Sequence, residues 1–429
     1  MNKWSTFYQW SLILIAALIP SGLHEAAIAV TAFSGLCWII RKRYEAVRQL
    51  RSSPQFLFAI LLYLYVFAGA FFATDHHAAM SSLSFYFPLL FFPLFVGLSG
   101  IVSKPLIRKI EFAFVLSTLL SLVIMLIYAS IDYLTTKQLI VVINEGDYNK
   151  FSSFGLTRAL GHYHPTFAAM YVNHCIFIVG RLIYEKYQQH KKQQMIIYLF
   201  LFVFLSIGIF MLNSMIGVLA FFLLLIYFCF ALLRAAGLKP VLRYSLAIAV
   251  VALSSAFLYF NPFRIPKIDS VKNKAFVITD NYTERNLLTM RLAKWETHMK
   301  IISRHFFFGT TEGDIKQIRK EAYLEMGFKD LALHNYHAHN QYIEIFTKFG
   351  LFGFLIFAGM LVSGFRKKTS GNFNLFMLIV MVTWLTECTW ELGQGFNYIM
   401  FFFALYTAPK LTGMKNEEKN SVDPAPIAG

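Results

Sequence analysis

The residues best suited to chemistry fall in three clusters. The first is His337-Ala338-His339-Asn340, followed by Gln341, Tyr342 and Glu344, with His339-Asn340 standing nine residues before Gly350-x-x-Gly353. A neutral imidazole accepts a proton near neutral pH, so His339 is the best-placed general base and His337 a secondary candidate. Asn340 can cap a helix, and the two glycines allow close helix packing in lipid. Glu344 lies about one turn inside the apolar stretch, where an ionisable group is a functional candidate. The second cluster is Arg158-Ala159-Leu160-Gly161-His162-Tyr163-His164-Pro165, which joins an arginine and two histidines to a proline suited to start a helix. The third is Glu387, Glu391, Gln394 and Gly395. Its two acids are one helical turn apart and would share a face. Glu391 reads equally well as an exposed interfacial acid, whereas Glu387 is deeper and suited to pairing with a base. The simplest alternative for the second cluster is a solvated loop end. Metal binding is not expected: His337/His339 and His162/His164 are two apart, not at helical His-x-x-x-His spacing, and no acidic run is available to hold magnesium.

These clusters need a scaffold, and the composition says which. Of 429 residues, 57% are hydrophobic and only 14% charged, so the chain reads as a polytopic, all-α membrane protein. That excludes a disordered chain, a small disulfide-stapled scaffold and an ordinary cytosolic enzyme. Twelve apolar runs are candidate spans, near 7–22, 25–40, 55–73, 83–100, 110–131, 166–182, 195–212, 216–233, 244–260, 341–364, 373–390 and 395–411. The first lacks a small-residue cleavage site and reads as an anchor. The four cysteines lie in apolar stretches and read as buried thiols.

The net charge of +16 divides between the two sides. By count, 22 of the 39 Lys and Arg fall on one alternating set of segments, including 41–51, 181–194 and the tail. The intervening short loops near 20–24, 74–82, 212–215 and 391–394 carry none. The positive-inside rule therefore puts both termini in the cytoplasm and removes the reason to invoke a nucleic-acid partner. The other seventeen bases and ten of twelve histidines lie on or near the outer face. The expected organisation is spans one to nine over 1–260, a helical outer loop over 261–340, three spans over 341–411 and a disordered cytoplasmic tail over 412–429.

Within the outer loop, Leu288, Leu292, Trp295, Met299 and Ile302 recur at helical steps, with Arg291, Lys294 and His298 on another face. The simpler expectation is a surface helix with Trp and Met down and its bases toward lipid headgroups. The sharper one is that Arg291 points into a site. A second helix is expected from Asp314 to about Met326.

These residues resemble the O-antigen ligase and O-antigen polymerase (Wzy-like) superfamily over most of the chain. The most specific match is His339-Asn340, nine residues, Gly350-x-x-Gly353. Arg291 with Trp295 and Phe308-Gly309, Gly161 to Pro165, and Thr386-Glu387 through Glu391 and Gln394 resemble further family motifs. The resemblance implies a C-type glycosyltransferase fold on an inner-membrane protein, with its site at the periplasmic face. It implies metal-independent, inverting transfer of a glycan from undecaprenyl diphosphate to a hydroxyl of lipid A–core. Alternatives are a polysaccharide polymerase, a protein O-oligosaccharyltransferase and, from another class, a transporter, although no half-to-half repeat is evident. The family often has Ser-Arg-Gly where this chain has Ser214-Met215-Ile216-Gly217. That leaves the arginine's role to Arg158, Arg291 or another loop base, or to a different binding mode. His339, Glu344 and Glu387 are thus the expected catalytic residues. Arg158, Arg291, Lys294, His164, His337 and Asn340 are the expected substrate-binding ones.

Overall fold

In a computed structural model, residues 3–40, 49–143, 146–161, 164–237, 287–365 and 371–408 are described, with a few further positions between 241 and 252. The chain is a helical membrane protein. In order, the helices are α1 (Lys3–Leu18), α2 (His24–Ile40), α3 (Pro54–Ala70), α4 (His76–Gly97), α5 (Lys104–Thr136), α6 (Ser153–Thr157), α7 (Pro165–Gln188), α8 (Lys192–Leu212) and α9 (Met215–Ala235). Further along the chain come α10 (Leu287–Arg304), α11 (Thr311–Glu325), α12 (Lys329–His334), α13 (Gln341–Gly364), α14 (Gly371–Trp384) and α15 (Gly393–Thr407).

Among the described residues, α4, α5, α7, α8, α9 and α13 are long and apolar enough to cross a bilayer. Shorter apolar helices stand at Ser5–Ser21, Pro54–Ala70 and Asn372–Trp384. Helices thus occupy eleven of the twelve expected spans, and the ninth, 244–260, lies almost wholly outside the described residues. One short hairpin was not foreseen: Ile140–Ile143 pairs antiparallel with Gly146–Asn149.

The core sits around α7, whose residues Pro165 to Gly180 are all buried, as a helix apolar on every side requires. Phe114, Phe376, Tyr398 and Phe402 ring His174, whose two nitrogens meet Tyr398 and Tyr406 hydroxyls at 3.0 and 2.9 Å. Nearby, Arg181 grips Glu111 with two bonds of 3.0 and 2.6 Å, and Tyr406 and Asn372 donate to the same carboxylate. Charges so enclosed persist only when matched and hydrogen-bonded.

One backbone break positions the site. Gly350 lies inside α13 at φ 61° and ψ −165°, so the helical hydrogen-bond ladder is interrupted there. The turn before α11 repairs it. Leu351 and Phe352 donate to the carbonyls of Phe306 and Phe307 at 2.8 and 3.2 Å, and Thr310 donates to Thr347 O at 3.1 Å. Tyr65 of α3 donates to Phe349 O at 2.9 Å. The expected role of Gly350 in helix–helix packing is therefore corrected. A Cβ there would stand 2.4 Å from Gly309 N, against a turn and not a neighbouring helix. Gly353 does face a helix, with Tyr65 3.1 Å from its Cβ position. Gly350→Ala should destabilise the protein by at least about 1–3 kcal/mol, the strain of that conformation alone. Thermal unfolding in detergent measures it, and a midpoint equal to wild type would show that the break is not required.

Candidate active site

The loop Asn335–Asn340 carries the two histidines of the first cluster and is fastened at nearly every residue. Tyr336 O accepts from the Tyr323 hydroxyl at 2.8 Å, and Ala338 O from Trp295 Nε1 at 3.0 Å. Ala338 N donates to Glu344 Oε2 at 2.8 Å. Asn340 caps α13, its Oδ1 accepting from Tyr342 N and Ile343 N, while its Nδ2 donates to Leu385 O. Held this way, His339 adopts φ 48°, a left-handed conformation that a non-glycine residue keeps only under such restraint.

His339 Nδ1 lies 3.2 Å from Glu387 Oε2. Since an ionised carboxylate only accepts, Nδ1 carries the proton and Nε2 is left as the basic nitrogen. His339 N donates to His337 Nδ1 at 3.1 Å, which fixes that nitrogen as an acceptor, and the two rings lie 4.2 Å apart. Burial pushes the His339 imidazole below its ordinary value, the Glu387 bond pulls it partly back, and Lys294 and Arg291 push it down again. His339 is therefore neutral at pH 7, in the form that takes a proton. For Glu387, burial favours the neutral acid, but the His339 bond and the neighbouring histidines outweigh it and hold the carboxyl below the usual range.

Cations face this pair. Arg291 NH2 is 4.0 Å from Glu387 Oε1, with its side chain 30% exposed. Lys294 is buried, its ammonium 4.3 Å from the centre of the Tyr336 ring. His164 caps α7, accepting from Thr166 N, and lies close enough to Glu387 to lower its pKa. The helix bearing these bases is where expected, but its orientation differs from the simpler reading. Ala293, Lys294, Thr297, His298 and Ile301 form the buried face, whereas Met299 is outward. Lys294 and His298 do not reach toward headgroups, because buried carboxylates lie on the protein side. The next helix begins at Thr311, three residues before the expected Asp314.

The acids of the third cluster do not share a helical face. Helix α14 ends at Trp384, so Glu387 falls in a connection and turns to His339, while Glu391 closes a short 3-10 turn and turns to Lys348. Glu391 is thus a partner 2.6 Å from a buried ammonium, not an exposed acid.

Glu344 is fully buried, and its carboxylate is directed to the loop and to Arg319. Its Oε2 receives Ala338 N, and its Oε1 is 3.1 Å from Arg319 NH1. Arg319 also holds Asn335 Oδ1 at 2.7 Å. Lys348, on the next turn of α13, pairs with Glu312 at 3.1 Å and lies 3.8 Å from Glu344. His298 Nδ1 meets Thr347 Oγ1 at 3.0 Å, and burial drives that imidazole down to about 4. Sequence reasoning missed Arg319, Lys348 and Glu312. The available signals were the spacing of Glu344 to Lys348 and the place of Arg319 on the buried stripe Ile315, Arg319, Ala322 and Tyr323.

Arg158 stands elsewhere. It pairs with Asp132, which also binds Lys150 at 2.6 Å, and lies over the Tyr128 ring. Two cations against one carboxylate leave a positive excess there, but no contact among the described residues joins Arg158 to His339. His162 lies outside the described residues. Met215 is 63% exposed beside Ser214, which caps α9 through Gly217 N. Among the described residues, no three His, Cys, Asp or Glu side chains are grouped to hold a metal ion.

Residues 200–358 match the family model described as O-antigen ligase. That stretch includes Arg291, Lys294, Arg319, His339 and Glu344, and leaves Arg158, His164 and Glu387 outside it. No curated protein matches the chain.

Proposed function

We propose, from the match of residues 200–358 to the O-antigen ligase family model, that the chain is a glycosyltransferase moving a glycan from undecaprenyl diphosphate to a hydroxyl of lipid A–core. The family makes the function ligase- or polymerase-like, in lipopolysaccharide biosynthesis. The observation that carries the finer reading is the oriented His339–Glu387 pair beside Arg291 and Lys294. The topology we propose keeps both termini cytoplasmic and the site at the periplasmic face of the inner membrane, following the distribution of bases.

The chemistry follows from the charges. His339 Nε2 removes the acceptor hydroxyl proton as that oxygen bonds to the anomeric carbon. The bond from that carbon to the diphosphate oxygen breaks, and the electron pair leaves with undecaprenyl diphosphate. Arg291, and Lys294 beside it, offset the charge gathering on the phosphate oxygens, a task suited to the forked guanidinium. Arg158 is a further diphosphate contact in this proposal, supported by its excess positive charge but by no contact with His339. His164, His337 and Asn340 shape the pocket around the base.

Deletion of the gene tests the reading. A core lacking long chains, with lipid-linked polymer accumulating, is the expected result. Single repeat units capping the core would instead indicate a polymerase, and unchanged glycans would overturn the transferase.

Glu387→Gln tests the base through pH. The carboxylate favours imidazolium, so removing it lowers the His339 pKa further. Protonated His339 is inactive, so the acid limb of kcat/KM moves to lower pH while the plateau falls. A limb that stays or rises would mean that Glu387 does not act on the base.

A further inference from the structure

A cavity of 1420 Å³ lies apart from the His339–Glu387 pair, between the end of α3, the start of α4 and the first turns of α11. Its volume exceeds the roughly 300–1,000 Å³ of small-molecule pockets. Its wall has two characters. Tyr65, Phe72, Phe308 and Phe349 supply aromatic surface, and Phe72 and Phe308 are 84% and 70% exposed, so the mouth is open and apolar. Lys316, Gln317, Lys320 and Asn335 add amide and ammonium groups to the lining.

The acids on the wall are already engaged. Asp314 accepts from Thr74 N and Asp75 N, both at 2.9 Å, Asp75 accepts from Ala78 N at 2.8 Å, and Glu312 binds Lys348 and Tyr86. Lys316 and Lys320, one turn apart and exposed, meet no carboxylate at ion-pair distance among the described residues. Aromatic faces combined with hydrogen-bonding groups in one lining match the C–H faces and hydroxyl edges of sugar rings. An open aromatic mouth beside apolar helices matches an attached lipid.

The cavity reaches the catalytic loop without containing it. Asn335 lines it and begins the segment that ends with His337, His339 and Asn340. Arg319 joins Asn335 to Glu344, which holds Ala338 N. Lys348, also on the wall, binds Glu391 and neighbours Glu344. A ligand here would hold its remote part against residues that set the position of His339, the arrangement by which distant binding energy serves the reacting centre.

We propose that this cavity binds the non-reacting part of a lipid-anchored saccharide acceptor, an assignment that rests on the transferase reading. The test measures equilibrium binding of purified lipid A–core to the full-length protein in nanodiscs, which needs no turnover. A Cβ at Gly69 would meet only Thr311 Cγ2, at 4.0 Å, and Gly69 lines the cavity, so Gly69→Trp adds bulk there from an uncrowded backbone position. Gly69→Ser serves as the conservative control. Expected are a loss of binding of at least about tenfold for Gly69→Trp and for the double variant Lys316→Glu/Lys320→Glu. Gly69→Ser should bind as wild type. The proposal is overturned if wild type does not bind lipid A–core, or if Gly69→Trp binds it as wild type does. It is also overturned if phosphatidylglycerol displaces lipid A–core at equal concentration, which would make the cavity a site for bulk lipid. The transferase reading is judged separately, by wild-type turnover of the undecaprenyl-diphosphate-linked donor, so the two can fail independently.

Discussion

His339→Ala lowers kcat/KM for glycan transfer by about 10²–10⁴-fold, the range expected for loss of a positioned general base. Its Nδ1 is committed to Glu387 at 3.2 Å, so Nε2 is the nitrogen free to take a proton. Burial and two neighbouring cations keep the ring neutral at pH 7, so the basic form needs no prior deprotonation. The backbone supports the same role. A residue at φ 48° in a loop tied by Tyr323, Trp295, Glu344 and Asn340 has little freedom to turn its ring away. The loss should appear in kcat, with donor binding largely retained, because the proton transfer belongs to the transition state. The measurement is steady-state transfer by purified protein whose thermal midpoint matches wild type. Activity within threefold of wild type would remove His339 from the chemistry.

How much of this was legible in the sequence depends on the distance over which each residue acts. Asn340 as a cap and α10 as a helix follow from local spacing, and both are present. The meeting of His339 with Glu387 joins positions 48 apart, and no local pattern encodes it, although both residues stood out as ionisable groups at the edges of apolar runs. Periodicity misled for α10 because it ranks faces by hydrophobicity. Here the inward face is polar, since Lys294 and His298 meet Tyr336 and Thr347 inside the protein. Gly350 shows the same limit from another side. Its motif spacing was evident, but the need for it arises from a turn some forty residues earlier, whose carbonyls complete the broken helix. Arg319 was unremarkable in sequence because a basic residue in a polar loop has no reason to be buried until Glu344 is placed beside it.

Arg291→Ala should reduce kcat/KM by about 10²–10³-fold, the cost of removing one preorganised donor from a site of developing charge. Arg291 is the cation nearest the base–carboxylate pair whose side chain remains partly open, at 30% exposure and 4.0 Å from Glu387. That geometry lets a phosphate oxygen compete for the guanidinium, whereas Arg319 is enclosed against Glu344 and has no such freedom. Loss of Arg291 has a second consequence of opposite sign. Its charge lowers the His339 pKa, so its removal should move the acid limb of the rate profile upward, against the downward move expected for Glu387→Gln. Lysine at 291 should restore the pH profile, since it restores charge, but only part of the rate, since a point charge cannot make the two parallel bonds of a guanidinium. Measuring kcat, donor KM and the pH profile for Ala and Lys at this position separates a phosphate clamp from a residue that only balances Glu387. A Lys variant with full wild-type rate, or an Ala variant with unchanged kcat and donor KM, would leave Arg291 only the second role.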